Sequence, residues 1–310
     1  YIFNFFKKVM IMNDKNTPLV SVIMNCYNGE KYLQEAVNSV FDQTYKNWEI
    51  IFWDNQSTDK SANFIKLYDD EKLKYFYAPK HTLLYEARNE AVARASGEFL
   101  AFLDVDDLWV PDKLEKQIRC FDDPDVGVVF GNYLVKNEQS GKFNKKYSKC
   151  LPSGMILDDL LKDYVVCLST IVFRSKVFDG ATSCFDVRYN IIGDFDMVIR
   201  AAHKWQMKSI QEPCAVYRIH GANISRNNRL YLEELQVWYG EIVCSGIKSQ
   251  MEKYKSIQDI IVFLKAELLV ENKKYINAFI LWLKLPFGLL KRNLLILILV
   301  PNVFLRRLRN

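Results

Sequence analysis

Phe99 to Leu103 is a short, wholly apolar run that stops abruptly at Asp104-Val105-Asp106-Asp107. An apolar run of this length reads as a parallel strand buried on both faces. Three carboxylates within four residues repel one another unless something cationic neutralises them. On an extended chain the side chains of Asp104 and Asp106 point the same way, and Asp107 begins the turn. Acids at the carboxyl end of a parallel strand stand where open α/β sheets bind ligands. A hard divalent ion such as Mg²⁺ takes one or two carboxylates together with substrate phosphates. The same residues also suit a solvated acidic loop leading into a helix with Pro111 in its first turn, so the motif alone leaves both readings open.

The chain before it repeats the strand pattern. Leu19–Asn25, Trp48–Trp53 and Leu73–Tyr77 read as strands. Tyr32–Phe41, a stretch reaching Tyr68 and capped by Ser57, Thr58 or Asp59, and Tyr85–Ala95 read as helices between them. Strands separated by helices predict a doubly wound, mostly parallel sheet. The second half is less regular. Val126–Asn132, Ser169–Phe173 and Ala215–His220 read as strands, Met155–Asp163 and Asp194–Lys204 as helices, and the chain is helical from Leu230 to about Leu269.

Several strand ends carry groups suited to one nucleotide. Asn25-Cys26-Tyr27-Asn28 closes the first strand and Asp54 the second. An Asp at a strand end can accept from a pyrimidine imide, an aromatic such as Tyr27 can stack on a base, and Arg88 can contact a diphosphate. Singly, each has a plainer role: Asp54 as a helix cap, Tyr27 as turn packing, Arg88 as an exposed helix charge. Their shared placement favours one pocket.

Composition narrows the class. The seven cysteines are scattered and odd in number, with no Cys-x-x-Cys pair, which argues against a disulfide framework or structural zinc and for a reducing compartment. Of 42 basic and 37 acidic residues, six basic ones and no acid fall within 279–310, leaving the rest at −1. No basic cluster elsewhere suits nucleic acid. Nothing resembles a cleaved signal peptide. The opening Tyr1-Ile2-Phe3-Asn4-Phe5-Phe6-Lys7-Lys8 is either foreign to a chain starting at Met10 or Met12, or a short apolar arm. The apolar runs of the tail fall short of the ~20 residues that span a bilayer. Flanked by bases, they suit a helix lying in an anionic interface or, equally in form, a terminal helix packed on the body or a partner subunit.

With these residues in place, the chain resembles the family 2 inverting glycosyltransferases of the GT-A fold. Val20 to Gly29 looks like the family's opening. Gln43 to Ile50, Asp54-Asn55-Gln56-Ser57-Thr58-Asp59, Ala87-Arg88-Asn89, Ala95-Ser96-Gly97-Glu98 and Leu103 to Asp107 match its later landmarks. Gly193-Asp194-Phe195-Asp196 resembles its base segment, and Tyr217-Arg218-Ile219-His220-Gly221-Ala222-Asn223-Ile224-Ser225 its Tyr-Arg-x-His-Gly-x-Asn-x-Ser element. The resemblance implies an α/β GT-A fold with a nucleotide-sugar half over 18–125, an acceptor half over 126–225, an N-terminal arm over 1–17 and a C-terminal helical, basic and apolar extension over 226–310. It implies Asp194 as general base and Asn25, Tyr27, Asn28, Asp54, Arg88, Asp104, Asp106 and His220 around the donor. Mg²⁺ or Mn²⁺ would be held by Asp106 and Asp107. The expected donor is a nucleotide-diphosphate sugar, UDP-sugar foremost, and the acceptor a saccharide or a lipid-linked one. The expected location is the cytoplasmic face of the inner membrane.

Departures stand beside the match. The family's Pro after the first strand is replaced by Asn25-Cys26, its second paired acid by Asn55, the Gly before Ala-Arg-Asn by Leu84, and the Glu before the base by Gly193. The absence of a Gln-x-x-Arg-Trp element speaks against a processive synthase. Two rivals follow. One is a phosphohydrolase using Asp-x-Asp, which expects that motif on the first strand. The other is a degenerate nucleotide-binding scaffold.

Overall fold

The computed structural model of the protein describes residues 17–221, 223, 227–244 and 252–299. The arm before residue 17, residues 222 and 224–226 of the histidine turn, and Arg306, Arg307 and Arg309 lie outside the described residues. The first half alternates as expected: β1 (Val20–Cys26), α1 (Glu30–Phe41), β2 (Trp48–Asp54), α2 (Ser61–Ile65), β3 (Leu73–Tyr77), α3 (Leu84–Val92) and β4 (Phe99–Phe102). These four strands pair parallel in the order β3-β2-β1-β4.

Alternation along the strands feeds two cores. Val20, Val22 and Met24 of β1, Ile50 and Phe52 of β2, and Phe99 and Ala101 of β4 face α1, whose Leu33, Ala36, Val37 and Val40 share one helix face. Ile23, Ile51, Trp53, Leu100 and Phe102 face the other way, toward α3 and the second half. A strand buried on both faces has to be continuously apolar, and for that reason these runs are legible in the sequence.

The second half comprises β5 (Leu108–Trp109), α4 (Lys113–Ile118), β6 (Val126–Asn137), β7 (Phe143–Lys145), α5 (Leu157–Lys162), β8 (Val172–Arg174), α6 (Gly193–Ala202) and β9 (Gln206–Ile219). β8 joins β4 antiparallel and β6 joins β8 antiparallel, while β9 runs parallel to β6 and carries β5 antiparallel on its far side. Two expectations are corrected. Ser169 and Thr170 form a 3₁₀ turn before β8 rather than part of the strand, because their hydroxyls are bonded to Asp107 and to the Cys167 carbonyl. The strand expected over 215–220 is the end of a 14-residue strand, bent where Asn132 of β6 pairs with Pro213.

After residue 226 come α7 (Asn228–Cys244), α8 (Lys255–Glu271), α9 (Tyr275–Lys284) and α10 (Leu289–Leu299). α7 and α8 add Leu232, Leu235, Trp238, Ile257, Ile261 and Leu264 to the same core as α6. α9 and α10 close a small separate core with Ala266 and Val270 of α8, built on Ala278, Leu285 and Leu294. Among the described residues, no helix is long and apolar enough to cross a membrane.

Candidate active site

Strand register brings the polar ends together. Ile23 pairs with Phe102 and Cys26 with Asp54, so Asn25, Asp54 and Asp104 emerge at the same carboxyl edge of the sheet. The three acids after β4 then separate in role. Asp104, with a side chain 38% exposed, is ion-paired to the buried guanidinium of Arg88. Asp106, 27% exposed, lies 2.9 Å from Nε2 of His220 and accepts a weaker bond from Asn223. Burial, then the neighbouring Asp104, pushes the Asp106 carboxyl up from its usual range, and His220 opposes the rise.

Asp107 turns inward. It is 1% exposed; one oxygen accepts from the Ser169 hydroxyl at 2.6 Å, the other from the Arg218 backbone N–H at 3.0 Å. It ties the acidic turn to β9 and to the turn before β8. Asp107, expected at the ion, is thus enclosed here, and the acids of this turn that meet solvent are Asp104 and Asp106. Hard carboxylate oxygens beside a substrate diphosphate are the donor set that Mg²⁺ or Mn²⁺ takes, so these two fit such an ion. Among the described residues, no group of three or more His, Cys, Asp or Glu has metal-binding geometry by itself.

The loops after β1, β2 and β3 lie at the same edge of the sheet. Tyr27 is exposed, and its ring lies 4.3 Å from that of His81. Asn28, at a positive φ of 56°, accepts through Oδ1 from the Thr58 and Asp59 backbone N–H groups. It thereby shapes the turn. Asp54 is fully buried, accepting from the Ser57 N–H at 2.7 Å and the Tyr75 hydroxyl at 2.9 Å. Asn55, where the family's second acid is expected, pins Thr82 through both of its amide atoms. The side-chain amide of Asn25 is enclosed with no hydrogen-bond partner among the described residues.

Across from the acids stands the start of α6. Asp194 lies in its first turn and accepts from the Phe195 N–H at 2.8 Å, with the Tyr85 hydroxyl at 3.3 Å. Burial raises the Asp194 carboxyl above its ordinary range, and the charge of nearby Arg88 opposes that rise. One helix, α3, serves both sides. Arg88 holds Asp104, Asn89 pairs both amide atoms with the backbone of Phe185, and Tyr85 reaches Asp194. At the end of β9, Arg218 is 1% exposed, ion-paired to Glu35 at 2.5 Å and packed on Tyr32, whose ring lies 5.1 Å from His220. His81, Tyr85, Ser169 and Glu234, whose carboxylate accepts the backbone N–H groups of residues 190–192, were not singled out from sequence as site residues. His81 had a weak signal, being one of only three histidines. A serine, a tyrosine and a glutamate inside otherwise ordinary segments had none.

The architecture recurs in solved GT-A structures. S. aureus TarS in complex with UDP-GlcNAc superposes with a TM-score of 0.59 at 15% identity, over 81% of this chain and 83% of that one. The mannosyltransferase PcManGT of Pyrobaculum calidifontis, in complex with GDP-Man and Mn²⁺, gives 0.52 at 18% identity over 72% and 62%. These likenesses define the class by its fold. In sequence the match is closer. TuaG of Bacillus subtilis, named as a teichuronic acid biosynthesis glycosyltransferase, is 35% identical over 228 residues, 73% of this chain and 88% of that protein. The Escherichia coli UDP-Glc:alpha-D-GlcNAc-diphosphoundecaprenol beta-1,3-glucosyltransferase WfgD is 35% identical over 160 residues, 51% of this chain and 61% of that one. Residues 21–180 match Glycosyl transferase family 2, and the chain belongs to that family.

Proposed function

We propose that the protein transfers a sugar from a nucleotide-diphosphate sugar, UDP-sugar foremost, to an acceptor hydroxyl with inversion at the anomeric carbon. One observation carries the reading. Two solvent-facing carboxylates, Asp104 and Asp106, sit beside cationic or ionisable partners, and a third, half-buried carboxylate, Asp194, feels the charges of Arg88 and Asp104. Asp104 and Asp106 would hold a divalent ion, which when bound neutralises the diphosphate. Arg88 holds Asp104 at the rim through their ion pair. Tyr27 with His81 offers an aromatic face to the base, and the Asn25 amide has both donor and acceptor to give. Asp54 and Asn28 support that face through the loop they bond. His220 stands beside the diphosphate position through Asp106. Asp194 takes the proton of the attacking hydroxyl. A single displacement from the opposite face needs no enzymic nucleophile. The phosphohydrolase rival is disfavoured by the acids standing on the fourth strand of the sheet.

The acceptor is proposed to be a lipid-linked saccharide, the class named for WfgD. α9 exposes Ile276, Phe279, Ile280 and Leu283, and Phe287 follows, almost fully exposed. The chain has no acid after Glu271 but carries Lys273, Lys274, Lys284, Lys291 and Arg292 there. Such a face suits the surface of an anionic leaflet, as expected of a peripheral enzyme at the cytoplasmic face of the inner membrane. The test is a nucleotide-sugar panel scored by thermal shift with Mn²⁺ or Mg²⁺, followed by the anomeric configuration of the product by NMR. Absence of any metal-dependent shift with UDP-, GDP- or dTDP-sugars, or a retained anomer, overturns the proposal. Binding of the protein to phosphatidylglycerol vesicles at low salt, lost in Ile280→Glu/Leu283→Glu, tests the surface.

A further inference from the structure

Asp194 opens a helix that has no side-chain cap of its own, yet the loop in front of it is held by a residue of another helix. Glu234 of α7, 8% exposed, takes three consecutive backbone N–H groups into one carboxylate: Asn190 at 2.7 Å, Ile191 at 2.9 Å and Ile192 at 3.0 Å. Hydrogen bonds to an ionised acceptor are among the stronger ones, and losing the acceptor strands buried donors. One helical turn along, Trp238 donates through Nε1 to Asp196 at 3.0 Å, fixing the same helix from the same side.

The other flank is closed by shape. A Cβ on Gly193 would lie 2.5 Å from the Tyr85 ring, so the ring fills the space that a side chain at 193 would need. From there its hydroxyl is 2.9 Å from the Ile191 carbonyl and 3.3 Å from Asp194 Oδ1. With a single proton it donates to one of them at a time. The turn 190–194 is thus clamped between α3 and α7. α7 lies beyond the residues that match the family, 21–180.

We infer that Glu234 is a positioning residue for the transfer reaction, holding the 190–192 amides so that Asp194 meets the acceptor hydroxyl in line with the donor, with Tyr85 as the opposing stop. This rests on the reading of Asp194 as general base. Displacement of a reacting group by about 1 Å can cost on the order of 10²-fold in rate, and these contacts fix the turn that carries Asp194.

The experiment compares Glu234→Gln, Tyr85→Phe, Asp194→Asn and the Glu234→Gln/Asp194→Asn double variant in the full chain. Turnover is read as release of the nucleoside diphosphate from the donor chosen by the panel, in the presence of N-acetylglucosamine linked to a polyprenol through a diphosphate. UDP–Mn²⁺ affinity is read by calorimetry, and exchange of the 190–192 amides by hydrogen–deuterium exchange. Glu234→Gln is expected to lower kcat roughly 10- to 100-fold with UDP affinity within about twofold, to speed amide exchange at 190–192, and to cost nothing further once Asp194 is Asn, because groups acting as a unit are non-additive. Tyr85→Phe, which keeps the ring against Gly193, is expected to lose about threefold to tenfold and is read in its place if Glu234→Gln does not fold. Unchanged 190–192 exchange, unchanged kcat in the folded variants, or a loss that multiplies onto that of Asp194→Asn overturns the inference. Full turnover in Asp194→Asn alone overturns the base reading instead, and the two failures are told apart by that variant.

Discussion

The donor rim and the base turn are built in opposite ways. At the rim, each residue sits at the end of a strand whose apolar run is visible in the sequence, and parallel register alone delivers Asn25, Asp54 and Asp104 to one edge. At the base turn, Asp194 starts a helix whose position comes from Tyr85, 109 residues earlier, and from Glu234, which binds amides up to 44 residues away. The rim is a property of the sheet. The base turn is a property of three packed helices. With the roles proposed above, nucleotide binding at the rim and proton removal at Asp194 should separate under mutation.

The sharpest way to break that comparison is to remove one acid from each side. Asp194→Asn should cut transfer by roughly 10³-fold, within the range for losing a general base, while UDP–Mn²⁺ affinity stays near that of the unchanged protein. Asp106→Asn should cut transfer by roughly 10²-fold through lost charge stabilisation and abolish the metal dependence of UDP binding. If both variants lose nucleotide binding alike in calorimetry, the two regions are not independent.

A pH profile sharpens it further. Burial raises the Asp194 carboxyl, and the ionised form is the one that accepts a proton. Turnover should therefore rise with pH along an acid limb centred above the ordinary carboxylate value of about 4, and fall as Asp194 protonates below it. UDP–Mn²⁺ binding should weaken on acidification as well, because the Asp106 carboxyl is also raised. The kcat is therefore read at saturating donor and metal, and Asp194→Asn should lose the kcat limb while keeping the binding one.

Smaller effects test the supports. Asp107→Asn should leave metal-dependent UDP binding in place and cost about 1–3 kcal/mol of stability, because the buried carboxylate ties Ser169 to the Arg218 backbone; urea unfolding reads the loss. Abolished metal dependence in that variant would return Asp107 to the ion. Asn55→Asp should cost about 1 kcal/mol in the same measurement, since a carboxylate cannot donate to the Thr82 carbonyl that Asn55 now holds.

Much of the fold was readable because strands buried on both faces must be uninterruptedly apolar. β1 through β4 and α1 were expected within a few residues of where they lie. β5, β7 and the first half of β9 were not anticipated, because Gln206 to Pro213 mixes polar and charged residues on a half-covered strand. The treatment of 226–310 as one extension met a similar difficulty. Amphipathic spacing shows that α7 and α8 are helices, but not that they complete the core behind α6 while α9 and α10 build another.

The amino-acid sequence by itself determined the alternating sheet, the family and the acids at the strand ends, since periodicity and local motifs are written along one stretch of chain. Only the tertiary structure decided that Asp107 ties Ser169 to the Arg218 backbone, that the ring of Tyr85 takes the space left by Gly193, and that Glu234 grips the turn before Asp194. Those outcomes depend on which buried donors and shapes meet across long separations, and packing settles that.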